Sequence, residues 1–220
     1  MKKTVLGVAV DDISLKETID YVVANSPKLI FTTGSEFIVT AQDDREFKKI
    51  LNNADLNIPD GIGLRIFAGF KNSFAGVDLV LELCKLAVTK KWVVGIVGER
   101  EGTEALIKKS LEEKFPGIQI IFDPQKPVDL IFVAYGHPKQ EKYLAKLRAT
   151  GHEPQAFRIG MGVGGSFDFI AGILPRPPKL IRDIGLGWLW RGFTKPGHWR
   201  RIFRATIIFP LLILKSRSML

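Results

Sequence analysis

Asp129-Leu130-Ile131-Phe132-Val133-Ala134-Tyr135-Gly136-His137-Pro138-Lys139-Gln140-Glu141 is the stretch on which the reading of the fold turns. After one acidic residue, five apolar residues follow without alternation, and a glycine-containing loop leads into a polar run that predicts a helix over 138–148. An unbroken apolar run marks a strand covered on both faces, as in parallel sheets, whereas a half-exposed strand alternates. The unit recurs. Further apolar, β-branched runs lie at 4–10, 28–32, 54–58, 92–97, 118–122 and 156–163, with helical patterns at 14–24, 43–52, 77–90 and 103–115. Ser14 with Glu17 three residues on is a capping-box signature at the start of the first helix. Strand alternating with helix predicts a Rossmann-like α/β, doubly wound, mostly parallel sheet with helices on both faces.

Charge divides the chain in two. Its 220 residues carry a net +9, yet residues 1–175 hold 22 basic and 22 acidic side chains. Residues 176–220 hold ten basic residues and one acidic, together with Trp188, Trp190 and Trp199, and Pro175, Pro177 and Pro178 mark the boundary. We therefore expect an α/β domain over 1–175, which would hold any catalytic site, and a basic, aromatic appendage over 176–220. The single cysteine, Cys84, excludes an internal disulfide framework and a cysteine-based zinc site, and it suits a reducing compartment. Met1-Lys2-Lys3 before an apolar run could open a signal peptide, but Asp11-Asp12 follow at once, so 4–10 reads as a first strand.

Basic residues mixed with Trp, Phe and Leu suit an interfacial amphipathic helix on an anionic membrane better than a nucleic-acid surface. The apolar run over 205–214 gives about 15 Å of helix at ~1.5 Å per residue, half of a ~30 Å hydrocarbon core. It can lie on a bilayer but not cross one. Half of the ten cations at about 1 kcal/mol each would add roughly 5 kcal/mol of attraction. The competing reading packs Trp188, Leu189 and Phe193 on the body and leaves the charges solvated. An apolar tail off the membrane would also favour self-association.

Ligands of open α/β sheets bind outside the carboxyl ends of the strands, so the loops there should carry the chemistry. Four stand out: 32–36, 59–63, 135–141 and 160–168, each combining glycine with hydroxyl, amide or carboxylate groups. Gly160, Gly162 and Gly165 match the spacing of a dinucleotide fingerprint, but at the last strand rather than the first, so an NAD-dependent oxidoreductase stands as an alternative. A noncatalytic membrane-surface module is another. No phosphate loop, His-Glu-x-x-His or Asp-x-Asp occurs, and His137, His152 and His198 are far apart. Asp60, at a strand end in Pro59-Asp60-Gly61, is the candidate general base: a carboxylate with an ordinary pKa of about 3.9 is ionised and can take a proton from an attacking hydroxyl. A simple turn with Asp60 capping the next helix is the other reading.

At these loops the sequence resembles the bacterial WecG/TagA/CpsF glycosyltransferases over nearly its whole length. The matching residues are Thr32 with Glu36; Ala54-Asp55-Leu56 leading into 59–63; Ala75-Gly76-Val77-Asp78-Leu79; Gly136 with Pro138-Lys139-Gln140-Glu141; 162–168; and Gly185-Leu186-Gly187-Trp188-Leu189-Trp190-Arg191. The resemblance implies inverting, metal-independent transfer of N-acetylmannosamine, or its uronic acid, from a UDP-sugar to N-acetylglucosamine on a polyprenyl diphosphate, with no cofactor and no nucleic-acid partner. Such enzymes build teichoic acid, capsule and related polymers from the inner face of the plasma membrane. Carried over by position, it implies Asp60 and Thr32 as catalytic residues. Gly61, Gly136, Lys139, Gln140, Gly162, Gly164, Asp168, Arg191 and Arg201 would bind substrate, the two arginines against phosphate. The family usually has Asn at Gly34, Arg at Ser73 and Arg at His198, and a longer segment between Ile121 and Asp129. These departures bear on donor choice.

Overall fold

Six parallel strands form one sheet in the order β4-β3-β8-β7-β5-β6. They are β3 (Leu29–Thr33), β4 (Leu56–Pro59), β5 (Val93–Val97), β6 (Gln119–Ile121), β7 (Leu130–Val133) and β8 (Ile159–Gly162). The computed structural model describes residues 1–25, 29–123, 126–150, 157–178, 181, 189–190, 192 and 199–217. Unbroken apolar runs arise because both sheet faces are covered. Along β7, Ile131 and Val133 enter one core and Leu130 and Phe132 the other; along β3, Leu29 and Phe31 are divided from Ile30 in the same way. One face carries α2 (Ser35–Asp43), α3 (Arg45–Asn52) and α7 (Lys139–Thr150), and the other α1 (Leu15–Asn25), α5 (Gly76–Lys90) and α6 (Glu104–Lys114).

Acidic residues just ahead of two strands set the register. Asp129 accepts from the Val93 N–H at 3.0 Å and pairs with Arg158 at 3.1 Å, which ties the amino ends of β5, β7 and β8 together. Asp55 does the same for β3 through the Leu29 N–H at 2.8 Å. The predicted capping box is present: Ser14 N–H donates to Glu17 at 2.7 Å and Glu17 N–H to the Ser14 hydroxyl at 3.2 Å.

Two readings change. The run 4–10 is not one strand but an antiparallel hairpin, β1 (Lys2–Val5) and β2 (Val8–Asp11), separate from the parallel sheet. Leu6 and Gly7 both have positive φ, 49° and 78°, as a tight hairpin turn requires. Asn57 anchors the hairpin by donating from its carboxamide to Ala9 O at 2.7 Å and from its backbone N–H to Asp11 at 2.9 Å. Second, three of the four loops turn at once into helices: α2, α4 (Ile62–Ala68) and α8 (Ser166–Ile170).

The appendage ends in α9 (Trp199–Phe203), a π-helical turn (Arg204–Ile208) and α10 (Phe209–Arg217). Phe209, fully buried, and Ile213 join the core beside α2 and α4, and Ile202 is also buried. Arg204 pairs with Asp43 at 2.8 Å and Arg217 donates to Phe67 O at 3.1 Å. Trp199, Phe203, Ile207, Leu211 and Leu214, spaced by four and three residues, leave an exposed apolar stripe along another face. Among the described residues no helix is long and apolar enough to cross a membrane. Replacing Phe209 with Ala is expected to cost about 3–5 kcal/mol of stability in urea unfolding of the full chain. An unchanged midpoint would show that this end contributes nothing to the core.

Candidate active site

Because every strand of the sheet points the same way, the turns after β3, β4, β5, β7 and β8 converge on one edge. They enclose a cavity of about 760 Å³. Thr32, Asp60, Gly61, Gly136, Gln140, Gly162, Gly164, Asp168 and Arg201 all line it. Lys139 does not line it; its side chain is exposed at the start of α7. Arg191 and His198 lie outside the described residues. Gly34 precedes α2, and Ser73 lines the cavity.

Asp60 follows β4 directly, and its N–H donates to Thr33 O at 3.0 Å, which extends the β3–β4 ladder by one bond. The carboxylate is partly exposed to the cavity. Gly61 at φ 80°, ψ 168° then turns the chain into α4, a conformation open essentially to glycine alone. Gln140 is buried; its carboxamide oxygen accepts from the Gly164 N–H at 2.9 Å and its nitrogen donates to Glu141 at 2.6 Å. Gly162 must lack a side chain here, since a Cβ would stand 2.7 Å from Gln140 Nε2 and 2.9 Å from Glu141 Oε1.

The walls alternate in charge. Arg100 lies 3.6 Å from Asp168, Arg176 pairs with Asp78, and Arg201 Nε donates to both oxygens of Glu36 at 2.9 and 2.7 Å. Arg65, on α4, makes none of these ion pairs among the described residues and is exposed at the cavity. Burial pushes the Glu99 carboxyl up, against a bond to its own backbone N–H and with repulsion from Glu104 adding to the rise; one of its oxygens is buried without a hydrogen bond among the described residues. The loop carrying Ser73 and Phe74 is held from behind by buried Asp12, which accepts from the N–H groups of Lys71 at 3.1 Å and Asn72 at 2.9 Å and pairs with Lys3 at 2.7 Å. Burial alone would raise the Asp12 pKa, but these partners together hold it well below the usual carboxylate range.

Sequence reasoning passed over Arg65, Glu99, Arg100 and Arg176. The turn after β5 carries glycine and polar groups at a strand's carboxyl end, so the rule that singled out the other four loops reaches Glu99 and Arg100 as well. Arg65 was hidden because the loop reads only as far as Gly63 and the pattern gives 64–68 no element.

Fold and site define an α/β protein of the doubly wound class with a cavity lined by carboxylates and guanidinium groups at the carboxyl ends of its strands. The chain belongs to the Glycosyl transferase WecG/TagA/CpsF family, which matches residues 3–220, and it is a glycosyltransferase. Among curated proteins it is 31% identical over 202 residues to the N-acetylglucosaminyldiphosphoundecaprenol N-acetyl-beta-D-mannosaminyltransferase of Bacillus spizizenii, covering 83% of this chain and 77% of that one. It is 27% identical to the protein of the same name from Bacillus subtilis strain 168, covering 86% and 80%. For the Staphylococcus aureus protein of that name (strain MRSA252) the identity is 25%, covering 97% and 91%.

Gly162→Ala is expected to fold normally by circular dichroism yet lose transfer activity, on the order of a hundredfold, because the Gln140 carboxamide must move by a sizeable fraction of an ångström. An unchanged rate would show that this carboxamide need not sit where it does.

Proposed function

We propose that the chain transfers N-acetylmannosamine, or its uronic acid, from a UDP-sugar to N-acetylglucosamine carried on a polyprenyl diphosphate, with inversion and without a metal ion. The observation that carries the reading is a partly exposed Asp60 sharing one cavity with Thr32, Gln140 and four arginines, in a chain whose relatives are named as N-acetyl-beta-D-mannosaminyltransferases acting on N-acetylglucosaminyldiphosphoundecaprenol. Asp60 takes the proton from the acceptor hydroxyl as its oxygen attacks the anomeric carbon. The bond to the UDP phosphate breaks and UDP leaves with the electron pair. A β-linked product from an α-linked nucleotide sugar follows from one such displacement. Arg65, Arg176 and Arg201 favour the diphosphate charge, since guanidinium forks match phosphate oxygens. Thr32 offers a hydroxyl to the donor. The lack of an Asp-x-Asp motif supports a charge-stabilising role for arginine rather than metal.

The acceptor lipid explains the appendage. The exposed stripe of Trp199, Phe203, Ile207, Leu211 and Leu214, with Arg200 and Lys215 exposed beside it, suits a headgroup-depth position on the inner face of the plasma membrane. Arg176, Arg201 and Arg204 are already paired with body carboxylates, so fewer cations face the lipid than composition alone suggests. The reading places the chain in assembly of teichoic acid or a related surface polymer.

Asp60→Asn is expected to lower acceptor-dependent UDP release by about 10² to 10⁴, with chelator leaving the wild-type rate unchanged. Wild-type turnover in the variant would remove Asp60 from the mechanism, and loss on chelation would require a metal. For the membrane claim point changes are the right probe, because deletion would uncover the core around Phe209. Phe203→Glu with Leu211→Glu should weaken cosedimentation with phosphatidylglycerol vesicles while keeping the fold, and unchanged cosedimentation would refute the stripe's role.

A further inference from the structure

Behind the cavity wall, the first turn of α7 buries a carboxylate that the transfer chemistry does not use. Glu141 is 1% exposed. Its neighbour within ion-pair range is His137, whose Nδ1 lies 3.6 Å from Oε2, and neither of those two atoms has a hydrogen-bond partner among the described residues. Burying a carboxylate without a close cation is unfavourable, so stability does not explain its presence. Its other oxygen accepts from Gln140 Nε2 at 2.6 Å, while the Gln140 carbonyl accepts from Gly164 N–H at 2.9 Å. A carboxylate accepts and a backbone N–H donates, so the two bonds together dictate which end of the carboxamide faces which way. One carboxamide N–H is left without a protein partner among the described residues, on a side chain that lines the cavity. His137 is itself fixed: it stacks on Phe37 at 4.0 Å, meets Phe47 edge-on at 4.8 Å, and sets Nε2 3.0 Å from Thr40 Oγ1.

We infer that Glu141, backed by His137, is a positioning residue that locks the Gln140 carboxamide so that its remaining N–H donates to an oxygen of the bound UDP-sugar. The inference rests on the proposed reaction, and the measurements separate the two. In the full chain, Glu141→Leu lowers kcat/KM for the UDP-sugar roughly tenfold. Glu141→Gln, whose side-chain carbonyl can still accept from Gln140, recovers most of that loss. In a Gln140→Ala background Glu141→Leu causes no additional loss, because its effect runs through the missing carboxamide. Equal losses in both backgrounds, or no recovery in Glu141→Gln, overturn the assignment. A second readout needs no turnover: the side-chain amide resonances of Gln140 shift on Glu141→Asp, which withdraws the acceptor by one methylene. Should the wild-type chain transfer no sugar, the reaction is wrong, and these resonances decide the positioning claim alone. A shift supports it and unmoved signals overturn it. They decide it likewise if Glu141→Leu does not fold.

Discussion

Everything in the molecule depends on a parallel sheet whose two faces must both be kept from water. That requirement keeps the central strands apolar and lays helices over the two faces in four of the five connections between successive strands, and the parallel order brings all the carboxyl ends to one edge. The site is a consequence of that geometry. Thr32, Asp60, Gln140 and Asp168 are separated by up to 136 positions in sequence and still border one cavity, because each lies in a strand that ends there or in the turn and first helical turn that follow one.

Precision at the edge is supplied by small, specific devices. Asp55 and Asp129 anchor the far ends of the strands and so hold the near ends in step. Asp12 fastens the loop that faces Asp60 to the amino-terminal hairpin. Gln140 is held between Gly164 and Glu141, and the bare face of Gly162 leaves it room. The appendage joins the same scheme: Phe209 fills the core beside α2, and Arg201 reaches Glu36 on that helix while lining the cavity. The exposed apolar stripe and the cavity therefore sit on one continuous piece of structure.

Much of this could be read without coordinates. Unbroken apolar runs separate the buried strands from everything else, and the capping pair Ser14 and Glu17 gives the start of α1. The hairpin escaped because seven apolar-leaning residues look alike whether straight or folded, and only the positive φ of Leu6 and Gly7 distinguishes the two. The short helices α2, α4 and α8 escaped because each follows directly on a glycine, Gly34, Gly61 or Gly165, that reads as loop, and their span is too brief for helical periodicity to emerge. Residue chemistry named Asp60 and left a turn as its rival; the carboxyl-end cavity gives it neighbours. The ion pairs of Arg176, Arg201 and Arg204 were invisible, since composition counts charges and not their partners.

The most direct test of the account is the mass of the lipid after incubation of the intact chain with UDP-N-acetylmannosamine and polyprenyl-diphosphate N-acetylglucosamine. A gain of one N-acetylhexosamine unit, matched by an equal amount of UDP, is the predicted result. UDP released with no change in the lipid, or no change in either, would contradict it.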